Sequence, residues 1–257
     1  MTLTVDNDDL EERPRPQRWW SGGSRRARGV LLLLFVCGVV GSVFLIPAIQ
    51  GMRKAALRER DKHHLEQIGL ALHNYHELFH AFPPGGIVRE DSAEIRSWQA
   101  CLLPHLEQAA LHSQIKPDYA WHSPENRGVF SQPIATLMNP AIPVQPGQAV
   151  SHYAGNSHLF EINKSWDYRH ITDGMSNTIG VGDVSTGFKP WGSPGNVRDP
   201  GLGIGHTPSK FGSPFPGGCH FLLLDGSVKF ISENIDRQKL LDLATPAGYV
   251  WGEDASF

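Results

Sequence analysis

The sequence is poor in cysteine and has no excess of basic charge. Its 257 residues include three cysteines and carry a formal net charge of −3. So few cysteines exclude a disulfide-dense scaffold, and the charge balance argues against a surface that coats nucleic acid. The sequence also lacks a G-x-S-x-G nucleophile elbow and a phosphate-cradling P-loop. We therefore expect no nucleic-acid partner and neither of these two enzyme classes.

One long stretch of the chain contains no charged residue. Residues 30–49 are twenty uncharged and mostly apolar residues, and a helix of that length spans about 30 Å, the thickness of the hydrocarbon core of a membrane. A cleaved secretory signal has a shorter apolar region, so we predict a transmembrane helix with the lipid bilayer as partner. Basic residues flank it almost equally, with a slight excess on the N-terminal side that favours a cytoplasmic N-terminus.

The predicted span divides the chain into three parts. Residues 1–29 contain an acidic run followed by prolines and arginines, a composition that predicts a disordered cytoplasmic tail. Residues 30–49 form the predicted transmembrane helix. Residues 50–257 are numerous enough to bury one core of their own, and we expect a single extracytoplasmic domain there.

Helical periodicity continues beyond the predicted span. Apolar residues from Leu65 to Phe79 recur at helical spacing, so the helix should run to about residue 80 and end before Pro83. A second helix is predicted over residues 97–115 from a Ser N-cap, with a bend at its proline. Residues 236–243 are predicted to form a short final helix that begins with the capping side chain of Asp236.

Short apolar runs separated by turn residues predict strands in the rest of the chain. Residues 134–138 and 178–182 are strand candidates, and residues 199–216 predict a long ordered loop. Residues 221–231 place an Asp-Gly pair between two apolar runs, which predicts a β-hairpin with a type I′ turn. Helices followed by strands of this kind indicate the α+β class.

One motif in the predicted helix is associated with zinc chemistry. His76, Glu77 and His80 match H-E-x-x-H, in which two histidines on one helical face bind Zn²⁺ and the Glu activates water. Pro83 follows three residues after His80 and should end the helix, so the second histidine lies in the last turn. Pro83 also occupies the position where the extended motif has glycine. We therefore predict no catalytic, cofactor-binding or metal-binding residue, and a zinc metallopeptidase using residues 76–80 stays as an alternative.

Several sequence blocks occur in an order that is characteristic of one bacterial family. They are residues 65–76 leading to Phe82-Pro83-Pro84-Gly85, Ser97-Trp98, Tyr153-Ala154-Gly155-Asn156, residues 172–182, and residues 224–230. In these blocks the chain resembles the family catalogued as domain of unknown function 1559. The resemblance implies a pilin-like fold, in which a long N-terminal helix, first transmembrane and then amphipathic, packs on an antiparallel β-sheet outside the inner membrane. It implies no activity.

The chain departs from the family at the prepilin processing site. Relatives resemble G-F-T-L-x-E there, whereas Gly29 is followed by one valine and four leucines. The missing Glu normally helps to pair subunits inside a bundle, and a lone carboxylate in lipid is costly. We therefore predict a chain that stays uncut at Gly29 and serves as a static anchor.

Two further departures concern single positions. The family's H-x9-DG signature would place its histidine at Phe215, and His220 has the wrong offset. Relatives often have cysteines near the positions of Asp61 and Asn139, so the resemblance implies the joint loss of a disulfide between these two positions. His80 falls where relatives tend to have glycine.

Taken with the resemblance, the sequence predicts a pseudopilin-like structural or interaction protein of the cell envelope, anchored once in the inner membrane and without catalytic activity or cofactor. Its partner would be an envelope protein or a secretion system. The alternative is an anchored module that binds a solute or glycan through Trp121, Trp166, Trp191 and Trp251, since indole rings stack on sugars. Cys101 and Cys219 could pair in an oxidising compartment.

Overall fold

A computed structural model describes the backbone of residues 24–143 and 147–248, and the side chains there except those of 24–27 and 37–45. Most of the predicted disordered tail, residues 1–29, therefore lies outside the described residues. The described ranges confirm the α+β class. Their α-helices are α1 (Ser24–Phe79), α2 (Trp98–Leu102), α3 (Ala109–His112), α4 (Pro124–Phe130) and α5 (Arg237–Ala244). Their strands are β1 (Gly86–Val88), β2 (Glu94–Ser97), β3 (Val150–Ser151), β4 (Tyr153–Asn156), β5 (Ile179–Asp183), β6 (Lys189–Pro190), β7 (Val197–Arg198), β8 (Gly218–Leu223) and β9 (Val228–Ser232).

Contacts divide the chain into two compact units, Met1–Arg53 and Lys54–Phe257. In the first unit the apolar side chains of residues 30–36 are exposed, from 47% for Val36 to 72% for Phe35. Among the residues that the structure describes, no helix combines the length and the apolar character needed to cross a membrane. Residues 37–45, in the middle of the predicted span, lie outside the residues whose side chains are described.

The second unit is built around a mixed sheet of five strands in the order β7-β4-β5-β8-β9. Neighbouring strands are antiparallel except β4 and β7, which pair in parallel. The expectation of a purely antiparallel sheet was therefore wrong at this edge. The parallel pair forms because the long connection from β5 through β6 returns the chain to the far side of β4 in the same direction.

The core occupies both faces of this sheet. Leu65, Ile68 and Leu72 of α1 belong to one buried cluster together with Leu222 of β8. Phe221, the preceding residue of β8, belongs to a second cluster on the opposite face. Successive side chains of a strand point to opposite faces, which explains why a central strand needs an unbroken apolar run.

Local predictions that depend on capping and helix periodicity are confirmed. The helix α1 ends at Phe79, close to the predicted residue 80. The Ser97 side chain accepts a hydrogen bond from the amide of Ala100 at the start of α2, and Asp236 caps α5 by accepting from the amide of Lys239. Residues 178–182 correspond to β5, and residues 199–216 form a loop with one short 3₁₀ turn, Pro200–Leu202.

Two predictions about the positions of helices and strands were wrong in detail. Residues 134–138 contain a 3₁₀ turn, Ala135–Leu137, instead of a strand, and the amides of Leu137 and Met138 donate to carbonyls within this segment. The helix predicted over 97–115 is interrupted after α2 by a 3₁₀ turn at Leu103–His105 and resumes as α3, since Pro104 cannot donate a helical hydrogen bond.

The hairpin of β8 and β9 is confirmed, but its turn differs from type I′. Only Gly226 has a positive φ, 87°, whereas a type I′ turn needs positive φ at two successive residues. The amide of Gly226 donates to the carbonyl of Leu223, and the amide of Leu223 donates to the carbonyl of Ser227. This is a type I-like turn followed by a glycine bulge, which accommodates one more residue than the predicted turn.

Candidate functional site

A carboxylate is fully buried between α1 and the sheet. Asp61 has no exposed surface. Its Oδ1 accepts hydrogen bonds from Asn139 Nδ2 at 2.6 Å and from the Tyr153 hydroxyl at 2.8 Å. Its Oδ2 accepts from His220 Nδ1 at 2.7 Å. The pairing of Asp61 with Asn139 confirms that the two positions noted in the family comparison lie in contact, here joined by a hydrogen bond.

A second buried carboxylate lies beside the same histidine. Asp183 Oδ2 accepts from the backbone amide of His220 at 3.2 Å and is 3.6 Å from His220 Nδ1. Asp183 Oδ1 is buried and has no hydrogen-bond partner among the residues that the structure describes. One potential ligand atom from each of Asp61, Asp183 and His220 lies within 4.8 Å of the others. These three residues form the buried Asp–His cluster.

Strand register brings the cluster together. Tyr153 opens β4 and pairs with Asp183, the last residue of β5. Gly182 pairs with Phe221 of β8, so that Asp183 comes next to His220. The helix α1 covers this point of the sheet and supplies Asp61 from a position 122 residues before Asp183 in the chain.

The cluster contains two acidic side chains and one basic side chain. Within residues 24–143 and 147–248, His220 is the only ion-pair partner of Asp61 and of Asp183. Burial, together with repulsion from Asp61, raises the pKa of Asp183 to about 7. Burial opposes the charged form of His220, but its hydrogen bonds to the two carboxylates raise the pKa of the imidazole to about 9.

Aromatic rings enclose the histidine of the cluster. The rings of Phe215 and Phe230 meet the His220 ring edge-to-face, with centroids 6.0 Å and 5.1 Å away. The guanidinium of Arg58 lies 3.6 Å above the Phe230 ring, a cation–π contact. These apolar neighbours keep the dielectric low around the cluster and strengthen the electrostatic interactions inside it.

The H-E-x-x-H residues do not belong to a group of three close potential metal ligands in the described part of the chain. His76 is 7% exposed and stacks on Tyr168, with ring centroids 3.4 Å apart. His80 is exposed and follows the end of α1 with a φ of 55°. Among the described residues, the one group of three potential ligands is the buried Asp–His cluster. The peptidase alternative therefore has no third ligand there.

A smaller polar group surrounds Tyr168 at the end of α1. His73 Nδ1 and the Tyr168 hydroxyl are 2.8 Å apart, and His76 Nε2 is 3.9 Å from Asp167 Oδ1. Burial lowers the pKa of His76. We call His73, His76, Asp167 and Tyr168 the Tyr168 group.

The tryptophans predicted to bind a glycan have different environments. Trp191 is fully buried, Trp166 is covered by the Lys164 ammonium at 4.8 Å, and Trp251 lies outside the described residues. Trp121 lines a pocket of about 360 Å³ together with His122, Arg127 and Phe130, among others. One of the four is thus part of a pocket wall.

The two cysteines that could have formed a disulfide are separate. Cys101 on α2 and Cys219 on β8 are both buried and free. Burial raises the pKa of the Cys101 thiol to about 11, which keeps the thiol protonated and unreactive at neutral pH. The pairing that the sequence left open is therefore not formed.

The sequence-based prediction did not include the buried Asp–His cluster. Asp183 ends an otherwise apolar strand, and His220 lies inside an apolar run. Charged or titratable residues in strands that are buried on both faces need a partner, and this was the available signal. The signal does not identify the partner, because Asp61 is on a distant helix.

Comparison with known families gives one result. A family model described as "Protein of unknown function (DUF1559)" matches residues 50–207 and 203–238. The matched region includes all three residues of the buried Asp–His cluster. Searches of curated proteins and of solved structures found no match.

Proposed function

The chain belongs to the DUF1559 family of proteins of unknown function, and from this premise we propose that it is a membrane-anchored, pilin-like structural or interaction protein of the cell envelope. In this proposal residues 30–49 cross the inner membrane once, the N-terminus is cytoplasmic and the α+β domain is extracytoplasmic. The bilayer is one partner, and an envelope or secretion-system protein is the other. No catalytic step is assigned to the chain.

The observation that carries the proposal is the exposed apolar surface at the start of α1. Seven consecutive apolar residues, 30–36, each have 47–72% of their surface exposed. A helix that is apolar on all sides is stable in lipid or in the core of an assembly. The sequence from 37 to 49 continues without a charged residue, which supports a lipid environment.

The later part of α1 supports the pilin-like arrangement. Leu65, Ile68 and Leu72 are 0–2% exposed and share a core cluster with residues of the sheet. A Cβ added at Gly69 would meet Leu222 of β8 at 2.8 Å, so the helix backbone approaches the sheet closely. A single helix with an exposed apolar beginning and a buried apolar stripe suits an anchor that carries a folded domain.

Membrane extraction of the full chain tests the anchor. We expect the wild-type chain to remain in the membrane pellet after washing with alkaline carbonate. Val36→Arg combined with Val40→Arg should release it, because each arginine near the centre of a spanning helix costs about 2.5–3.5 kcal/mol. Leu70→Arg combined with Leu78→Arg is the matched control, since these leucines are 63% and 66% exposed in the second unit, and it should stay in the pellet.

Intact mass and N-terminal sequencing of the membrane-extracted chain test the static anchor. We expect residues 1–29 to be retained. A chain that begins at Val30 would instead indicate prepilin processing and would favour assembly into a filament or secretion complex. A wild-type chain that carbonate releases as readily as the double-arginine variant would contradict the anchor itself.

A second candidate function is the binding of a glycan or small solute at the Trp121 pocket. The indole Nε1 donates to Glu94 Oε2 at 2.9 Å, which fixes the ring at the pocket wall, and Arg127 lines the same pocket. A glycan-binding screen should then show binding that Trp121→Ala abolishes. Trp166→Ala is the matched control and should leave the binding unchanged. Equal loss in both variants would contradict a site at this pocket.

A further inference from the structure

We propose that the buried Asp–His cluster binds one first-row divalent cation through Asp61 Oδ2, a carboxylate oxygen of Asp183 and His220 Nδ1. Zn²⁺ is the probe that we would use. The proposal concerns a site within the folded domain and is independent of the membrane anchor. It would replace the expectation, drawn from the sequence, that the chain has no metal-binding residue.

The distances within the cluster fit a small cation. Tetrahedral Zn²⁺ with ligand distances of about 2.0–2.1 Å separates its ligand atoms by about 3.3 Å. His220 Nδ1 is 2.7 Å from Asp61 Oδ2 and 3.6 Å from Asp183 Oδ2. One pair would therefore move apart by about 0.6 Å on metal binding, a change that side-chain rotation can provide.

A divalent ion suits the donors of the buried Asp–His cluster, which comprises two carboxyl groups and one imidazole. A divalent cation that replaces the imidazole proton makes the cluster neutral, because metal ligands bind as carboxylates and neutral imidazole. A neutral cluster is less costly to keep in a buried, low-dielectric environment.

An unpartnered oxygen within the cluster points independently to a missing ligand. Asp183 has 0% of its surface exposed, yet its Oδ1 receives no hydrogen bond from the described residues. A buried carboxylate oxygen without a hydrogen-bond partner loses its hydration without compensation and therefore destabilises the folded state. Coordination of the cation through Asp183 Oδ1 would satisfy that oxygen, whereas coordination through Oδ2 alone would not.

The donor set and its surroundings indicate the class of ion. One imidazole nitrogen and two carboxylates suit Zn²⁺ and its first-row neighbours, whereas Ca²⁺ needs six to eight oxygen ligands. Asn139 and Tyr153 donate to the other oxygen of Asp61, and such outer hydrogen bonds orient a ligand carboxylate. The bound ion would connect α1 to β5 and β8 and would stabilise the domain in proportion to metal concentration.

The test measures metal content and coordination in the full chain. The chain is purified in mild detergent, treated with a chelator, dialysed against Zn²⁺ and analysed by mass spectrometry for bound metal. We expect one Zn²⁺ per chain and an X-ray absorption spectrum with one imidazole in the ligand shell. The temperature of unfolding should rise with Zn²⁺ concentration.

Variants separate this site from the other histidines of the chain. Asp183→Asn keeps the shape of the side chain and should lower Zn²⁺ affinity by about tenfold or more. His76→Gln combined with His80→Gln removes the H-E-x-x-H histidines and should leave the Zn²⁺ content unchanged. A chain that retains no Zn²⁺, an absorption spectrum with two imidazoles, or full binding by Asp183→Asn would overturn the proposal. The absorption spectrum of the wild-type chain decides the question even if Asp183→Asn does not fold.

Discussion

Two polar groups along α1 differ in burial and in the origin of their members. The buried Asp–His cluster draws one residue from the helix and two from the central strands, and its residues are 0–4% exposed. The Tyr168 group takes both its histidines from one helical face, and Asp167 is 17% exposed. Helical spacing brings only His73 and His76 of the second group together, whereas tertiary folding adds Asp167 and Tyr168 and assembles the whole of the first group. Interactions in the buried cluster should consequently contribute more to stability.

Removing the central carboxylate should have the largest effect. Asp61→Ala leaves His220, Tyr153 and Asn139 without their shared acceptor, and removing one partner of a buried ion pair costs about 3–5 kcal/mol. Asp167→Ala, the counterpart in the Tyr168 group, should cost much less because solvent can replace the lost contact. Urea unfolding followed by tryptophan fluorescence, with chelator present, gives both free energies of unfolding. Equal losses would contradict the difference between the two groups.

The hydroxyl groups of Tyr153 and Tyr168 allow the stability contributions of the two groups to be compared by removal of a single oxygen atom. Tyr153→Phe deletes a buried donor to a carboxylate at 2.8 Å and should cost about 2 kcal/mol. Tyr168→Phe deletes a partly buried contact with His73 at 2.8 Å and should cost about 1 kcal/mol. The His76 stack on the Tyr168 ring is unaffected by this change. The same urea titrations measure both, and a larger loss for Tyr168→Phe would contradict the ranking.

A histidine beside the buried cluster should make stability sensitive to acid. Burial lowers the pKa of His152 to about 4, and its Nδ1 accepts a hydrogen bond from the amide of Asn139, which requires an unprotonated nitrogen. Because the folded pKa lies below the ordinary value of 6.5, stability is fully present above pH 6.5 and is lost as the pH falls towards 4. Between pH 7 and 5.5 this loss is about 1.2 kcal/mol.

His152→Gln isolates the effect of this one group. The glutamine oxygen can accept the same hydrogen bond but does not titrate. The stability of the variant, measured by urea unfolding in chelator, should therefore fall less between pH 7 and 5.5 than that of the wild type. Parallel pH profiles for the two chains would show that His152 does not carry this pH dependence.

Sequence reasoning succeeded where the cause of a feature lies within a few residues. The caps at Ser97 and Asp236 and the end of α1 depend on local hydrogen bonds and periodicity. The predicted type of the turn before β9 was wrong. Asp-Gly permits more than one turn type, and the register of the two strands selects among them. The buried Asp–His cluster depends on three distant positions, and only the pairing of β4, β5 and β8 specifies which of them meet.

The smallest expected effect concerns the H-E-x-x-H motif at the end of α1. His80 adopts a φ of 55° just after α1, and its amide donates to the carbonyl of His76 at 2.8 Å. Glycine is the preferred residue for this left-handed position, so His80→Gly should stabilise the chain by about 0.5–1 kcal/mol. Glu77→Gly breaks the same motif at an exposed position in the last turn of α1 and should destabilise the chain by at most about 1 kcal/mol. A higher unfolding temperature for His80→Gly and a lower one for Glu77→Gly would identify His80 as a helix-terminating residue. A loss of stability in His80→Gly that depends on added Zn²⁺ would instead indicate a metal ligand.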